Sequence, residues 1–207
     1  TLSNSTAIFD NGDYLSAFGN INFDSFDNKY FPKKGWYFNG DVHSYLYSSR
    51  FEDIFLMHTI FKAEAAYAQK LFRKGSFVFK SEGGFTVGEQ SIPILNFFIG
   101  GYGYKPFNNF SHFYGYDFVG LTGNSYVLGS LSFDYEIFKK NHLNVTANYA
   151  NMGNDIFVND GWLKLPTYSG YSVGYGLETI FGPVEIKQSW SPETKDSFTW
   201  FGVGFWF

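Results

Sequence analysis

The sequence predicts an all-β protein, an antiparallel transmembrane β-barrel, and its composition is the first observation to do so. Of 207 residues, 27 are Phe, 16 are Tyr, 5 are Trp and 23 are Gly, whereas charged residues make up only 16%. Ordinary soluble domains carry about 25% charged residues. The chain has no apolar run long enough for a transmembrane helix, and disordered chains are poor in aromatic residues. Strands that present aromatic side chains to lipid explain this composition.

The second observation is alternation, because successive side chains of a β-strand point to opposite faces of the sheet. In residues 125–137, Leu131 and Phe133 fall on one face, and Asp134 and Glu136 fall on the other. Membrane barrels show this pattern in segments of roughly ten residues. It predicts about nine strands, at residues 14–24, 35–47, 55–69, 75–87, 125–137, 142–151, 168–181, 183–190 and 198–207.

A soluble β-sandwich with one buried face would also alternate, but the polar face argues against it. The predicted strands carry charged residues on the face opposite the aromatic residues, namely Lys62, Glu64, Lys80, Glu82 and Lys187. A wet lumen accepts such charges. The aromatic residues at the ends of the apolar face are typical of a membrane interface. We therefore favour the barrel.

The connections predict the orientation, since outer-membrane barrels have short periplasmic turns and long outside loops. Short connections fall at residues 28–35, 73–75, 139–141 and 182–183, and long ones at 49–54, 88–123, 153–167 and 191–197. This arrangement places residues 1–13 in an outside loop, although a barrel chain normally begins in the periplasm. Bacterial single-chain barrels also have an even number of strands. We interpret residues 1–207 as the C-terminal part of a larger barrel.

Several motifs occur in order along the chain. Residues 24–35 read DSFDNKYFPKKG, residues 98–116 contain FIGG and FYGY, residues 149–153 read YANMG, and residues 174–190 contain GYGL, GPV and SW. Together they resemble motifs of the BamA-type outer-membrane barrel superfamily. Residues 101–107, GYGYKPF, and residues 189–193, SWSPE, look most like the barrel domain of Bacteroidota patatin-like phospholipases. The resemblance implies a sixteen-stranded barrel, of which this chain would supply about nine C-terminal strands.

The same resemblance implies that the long loop, residues 88–123, folds into the lumen. Its inner tip would be Tyr114, Gly115 and Tyr116, and the matching partner on a later strand would be Asn151. The family has Arg and Asp at the positions of Tyr114 and Asn151, so we expect a Tyr–Asn hydrogen bond to replace the ion pair. Strict alternation places Asn148 in the lumen and Asn151 outward, so this match requires a bulge or a strand end.

The last segment resembles the C-terminal assembly signal of outer-membrane barrels. One face of this predicted strand carries four apolar residues at alternate positions, namely Phe201, Val203, Phe205 and Phe207. Phe207 is the final residue of this sequence. The resemblance implies that the barrel-assembly machinery is a partner of this strand during insertion.

No enzyme chemistry is predicted within the chain. The G-x-S-x-G pattern of lipid hydrolases occurs once, at residues 170–174, but a nucleophile elbow needs a sharp strand-to-helix turn. These residues lie in an alternating strand, so we interpret Ser172 as a lumen residue. The chain has no Cys, which excludes thiolate metal sites and Cys nucleophiles. We expect no catalytic, cofactor-binding or metal site.

The predicted function is that of a membrane anchor or conduit, in the bacterial outer membrane, for an N-terminal module that could be a patatin-like phospholipase. The alternatives are a barrel subunit of a larger outer-membrane complex, or a complete small porin or outer-membrane enzyme. The expected partners are outer-membrane lipid and lipopolysaccharide, the assembly machinery, and other subunits of such a complex. The net charge of −4 offers no basic surface for nucleic acid.

Overall fold

The computed structural model describes residues 13–49, 55–88, 95–103 and 108–204. Within these ranges the only helical element with assigned bounds is a 3-10 turn, Gly161–Leu163, and none is long and apolar enough to cross a membrane. The strands of these ranges are β1 (Tyr14–Asp24), β2 (Gly35–Ser48), β3 (His58–Phe72), β4 (Gly75–Val87), β5 (Phe97–Ile99), β6 (Phe110–Ser111), β7 (Leu121–Gly123), β8 (Ser125–Phe138), β9 (Asn141–Gly153), β10 (Tyr168–Thr179), β11 (Gly182–Trp190) and β12 (Ser197–Val203).

Nine long strands form one antiparallel sheet in the order β1-β2-β3-β4-β8-β9-β10-β11-β12. This confirms the predicted all-β antiparallel architecture and the expectation of about nine long strands. The short strands were not predicted: they form a separate sheet inside the long loop, in the order β6-β5-β7, with β5 and β6 parallel. Among the strands that the structure describes, β1 pairs only with β2 and β12 only with β11, so the large sheet has two free edges.

The register sorts the side chains of the sheet onto two different faces. Asp134, Asn144, Gly174 and Lys187 are direct neighbours across β8, β9, β10 and β11, which makes one face polar. The other face presents large apolar side chains to the exterior, among them Phe79, Leu131, Val145, Tyr175 and Ile186. Soluble monomers rarely expose so extensive an apolar surface, whereas the outer face of a membrane barrel does.

The sheet curves around the long loop on its polar side. Lys62 of β3 donates from Nζ to the Asn108 carbonyl at 2.9 Å and to the Phe110 carbonyl at 3.0 Å. Five strands further along the sheet, Lys187 of β11 donates from Nζ to the Tyr102 hydroxyl at 2.9 Å. Because one loop contacts strands so far apart, the polar face must be concave.

Candidate functional site

The base of the long loop is held to the sheet by an apolar cluster. Phe97, Ile99 and Phe113 are fully buried and belong to one cluster with Tyr126 and Leu128 of β8. The rings of Phe97 and Tyr126 are 5.0 Å apart. Burial of several large side chains at about 25 cal/mol per Å² is the main stabilising contribution at the base of the loop.

A buried carboxylate, Glu82 of β4, joins the same part of the loop to the wall. Its side chain is in contact with two cations, Lys62 Nζ at 3.1 Å and Lys80 Nζ at 3.2 Å. It also accepts a hydrogen bond from the Tyr126 hydroxyl at 2.8 Å and another from the Ser111 hydroxyl. Because Glu82 is only 2% exposed, this network supplies the counter-charges and donors that a buried carboxylate requires.

The tip of the loop lies against β9, β10 and β11. The backbone N–H of Tyr114 donates to Asn148 Oδ1 at 2.9 Å. Gly115 has a φ of +80°, and a Cβ at this position would overlap the carbonyl group of Trp190, so the close approach requires glycine. Tyr116 is buried, and its ring meets that of Tyr168 edge-on at 6.0 Å.

The structure corrects the predicted contact between Tyr114 and Asn151. Asn151 Nδ2 donates to the Lys164 carbonyl at 3.0 Å, and its Oδ1 accepts from the Thr167 backbone N–H at 2.8 Å. The pairing of β9 with β10 ends at Ala150, so Asn151 lies just beyond it and fixes the connection that precedes β10. Asn148 is the lumen residue, as alternation alone predicts, and it takes the place of Asn151 as the partner of the tip.

A cation of the wall, Lys187, meets the loop beside Tyr102 and Tyr114. Its Nζ lies 4.2 Å from the Tyr102 ring centroid and donates to the Tyr114 hydroxyl at 3.3 Å. The two tyrosine rings stack at 4.9 Å. Removal from water raises the pKa of Tyr102, although the Lys187 charge opposes that effect, so the hydroxyl stays neutral. Alternation identified Lys187 as inward, but it could not show which loop residues it meets.

The remaining predicted residues that the structure describes lie in strands. Residues 170–174 fall inside β10, and Ser172 is fully buried there. Phe201 and Val203 of β12 are 65% and 54% exposed on the apolar face, while Phe205 and Phe207 lie outside the described residues. The described part of the chain contains no group of three or more His, Asp or Glu side chains able to hold a metal ion.

Truncation of Asn148 to alanine is expected to lower the free energy of unfolding by about 1–2 kcal/mol, the usual effect of removing a buried hydrogen-bond partner. The Tyr114 amide would lose its acceptor, so its hydrogen exchange should accelerate. Asn151→Ala is the matched control, because it removes the same group three residues away and should leave that amide protected. Faster exchange at Tyr114 in the Asn151 variant alone would contradict the assignment.

The connection between β11 and β12 gives a pH-dependent prediction through Glu193. This carboxylate accepts hydrogen bonds from Ser191 Oγ at 2.5 Å and Ser169 Oγ at 2.7 Å. Burial by itself would raise the pKa of Glu193, but these hydrogen bonds hold it below its ordinary value. Folding therefore favours the ionised form. The resulting stability is present above the unfolded-state pKa and is lost as the pH falls through the lower folded-state pKa.

We expect the melting temperature of Glu193→Gln to fall less with acidification than that of the wild type. The measurement runs from neutral pH to about pH 3, because this range includes the ordinary Glu pKa of about 4.3. Asp196→Asn removes the same charge from the same connection and serves as the control. Melting curves of the wild type and Glu193→Gln that fall in parallel with pH would show that this carboxylate makes no such contribution.

Comparison with known proteins agrees with this geometry. The family model described as the OMP85 superfamily matches residues 1–207. The crystal structure of BamA from Haemophilus ducreyi lacking POTRA domains 1–3 is similar in fold, with a TM-score of 0.66 and 12% sequence identity. The match covers 91% of this chain and 42% of that chain, so the present chain spans less than half of it. No curated protein matches. With a family match over its full length and a BamA-like arrangement of strands, this chain belongs to the OMP85 superfamily.

Proposed function

We propose that this sheet is the C-terminal part of a sixteen-stranded barrel in the bacterial outer membrane that serves as anchor or conduit for an N-terminal module. The observation that carries this proposal is that β1 and β12 each have one unpaired edge among the strands that the structure describes. In the hydrocarbon core, each unpaired backbone N–H or C=O costs several kcal/mol. Nine strands with an apolar outer face therefore need further strands to pair both edges, and a sixteen-stranded barrel would supply seven more.

The loop supports an anchoring role over that of an open pore. At its base Ser111 donates to Glu82 and the Phe110 carbonyl accepts from Lys62, and near its tip Lys187 donates to the Tyr114 hydroxyl. The three wall side chains belong to strands on both sides of the concave face, so the loop lies across the lumen. A conduit function would require its displacement. The barrel-assembly machinery, outer-membrane lipid and lipopolysaccharide are the partners that this role implies.

The mass of the native polypeptide in outer-membrane extracts tests the proposal. Peptides of this chain should be found in a species much larger than 23.7 kDa, the mass of the 207 residues. A native polypeptide of that mass would overturn the proposal and favour a small complete barrel.

A patatin-like phospholipase is the module that the sequence motifs favour. The purified native polypeptide should release fatty acid from phospholipid vesicles, and a fluorophosphonate probe should inactivate it. Peptide mapping should place the probe outside residues 1–207, because Ser172 is fully buried within a strand. Labelling of Ser172, or the absence of hydrolysis, would exclude this module.

A further inference from the structure

The short connection between β1 and β2, residues 25–34, is a rigid structure, which we call the latch turn. Asp27 Oδ1 accepts the backbone N–H groups of Lys33 at 2.8 Å and Lys34 at 3.1 Å. Asn28 Oδ1 accepts the backbone N–H of Phe31 at 3.0 Å. Side chains that bond to nearby backbone in this way fix a turn without help from a sheet. The latch turn can therefore hold its shape while it projects away from its own strands.

The latch turn reaches strands on the far side of the concave face. The Phe31 ring stacks on the imidazole of His142 in β9, with centroids 4.0 Å apart and planes 10° apart. Phe31 is 3% exposed. Gly176 of β10 leaves room for the ring, since a Cβ there would lie 2.5 Å from a Phe31 ring atom. His142 is four strands from β2 in the sheet, so the latch turn crosses beneath the lumen.

Polar contacts accompany the stacked rings, and one of them joins the latch turn to β4, where Ser76 Oγ donates to the Pro32 carbonyl at 3.2 Å. Lys33 Nζ lies 2.5 Å from Glu136 Oε2 of β8, and Asn28 Nδ2 donates to Glu178 Oε1 of β10 at 3.1 Å. The side chains of the Lys33–Glu136 pair are 25% and 21% exposed, so the pair contributes modestly, on the order of 1 kcal/mol. In the part of the chain that the structure describes, the far side is thus held by a stacked ring and individual side-chain contacts, with no strand pairing.

His142 is fixed as a platform for Phe31. Its Nδ1 lies 2.8 Å from Asp134 Oδ2, and its Nε2 lies 3.1 Å from Glu178 Oε1. Hydrogen bonds on both sides of the ring prevent its rotation. The ring and its two carboxylates belong to three successive strands, β8, β9 and β10, so the platform belongs to the wall and stays in place when the latch turn leaves.

A cavity of about 420 Å³ lies between the latch turn and the loop. Tyr30 and Phe31 line it from one end, and Tyr102 and Tyr114 line it from the other, with Ser132 in the wall between them. We propose that the latch turn is a releasable plug that closes this cavity at the short-turn end of the barrel. Among the described residues its far side is held by side-chain contacts and not by strand pairing, so its opening is a local event that does not require unfolding of the sheet.

The test measures access to the cavity through a cysteine at Ser132. The native polypeptide carrying Ser132→Cys is treated with a small maleimide in detergent, and modification of position 132 is followed by mass spectrometry. Lys33→Glu replaces the contact with Glu136 by repulsion, and we expect it to raise the labelling rate about tenfold, equivalent to about 1.4 kcal/mol. Phe31→Ala should raise it further.

Charge reversal and a neighbouring lysine provide the controls. Adding Glu136→Lys to Lys33→Glu should return the rate to within about twofold of the wild type, because the pair is restored with opposite polarity. Lys34→Glu makes the same charge change one residue away, on an exposed side chain, and should have no effect. Unchanged rates in Lys33→Glu, or equal rates in the Lys33 and Lys34 variants, would overturn the proposal even if Phe31→Ala failed to fold.

Discussion

Replacement of Glu82 by alanine is expected to lower the free energy of unfolding by about 3–5 kcal/mol, the usual cost of removing one partner from a buried ion pair. The change removes a carboxylate that lies 3.1 Å from Lys62 Nζ and 3.2 Å from Lys80 Nζ. It also deprives the Tyr126 and Ser111 hydroxyls of their shared acceptor. Urea unfolding in detergent, followed by Trp fluorescence, measures the loss.

Glu64 provides the matched control for this prediction. It contacts the same Lys80 at 2.7 Å, but its side chain is 15% exposed against 1% for Glu82. Glu64→Ala should therefore cost less, about 1 kcal/mol. Combining Glu82→Leu with Lys62→Met should recover part of the loss, because an apolar pair of similar volume avoids the charge imbalance. Equal losses in the Glu64 and Glu82 variants would show that burial of the carboxylate does not determine the effect.

The nine membrane strands could be predicted because a shift of one residue would turn every apolar side chain toward the lumen. Alternation therefore specifies both the strands and their faces, and it placed Lys187 and Asn148 on the polar side. Strands β5, β6 and β7 could not be found in this way, since each has only two or three residues. Their pairing depends on how the loop packs against the wall, and no local sequence pattern indicates that packing.

The contacts of the site were less predictable than the strands. A matched family position suggested Asn151 as the partner of Tyr114, but the end of the β9–β10 pairing at Ala150 assigns Asn151 to another connection. The latch turn was identified as a short turn and as part of a family-like motif, but neither indicated its contacts. Its partners Glu136 and Glu178 are 103 and 150 residues away from Lys33 and Asn28 in the chain. Such contacts arise from the curvature of the sheet.

Alanine at position 170 is expected to displace the tip of the loop and to lower the free energy of unfolding by about 2–3 kcal/mol, at the upper end of the usual cost of overpacking. A Cβ on Gly170 would overlap the carbonyl oxygen of Tyr114 and would lie 2.7 Å from Asn148 Nδ2. The clashing atom belongs to the backbone, so no side-chain rotation can relieve it. The loop must move, and the Tyr114–Asn148 hydrogen bond should break with it.

Gly129→Ala is the control that separates this clash from the general effect of alanine in a strand. Gly129 lies in β8 on the apolar face, and a Cβ there has no atom within 4 Å. Its replacement should be neutral or slightly stabilising, because alanine lowers the entropy of the unfolded chain. Hydrogen exchange at the Tyr114 amide should accelerate in Gly170→Ala and remain slow in Gly129→Ala. If the amide stays protected in both variants, the loop tip does not rest on Gly170, and the close approach of the loop to β10 is wrong.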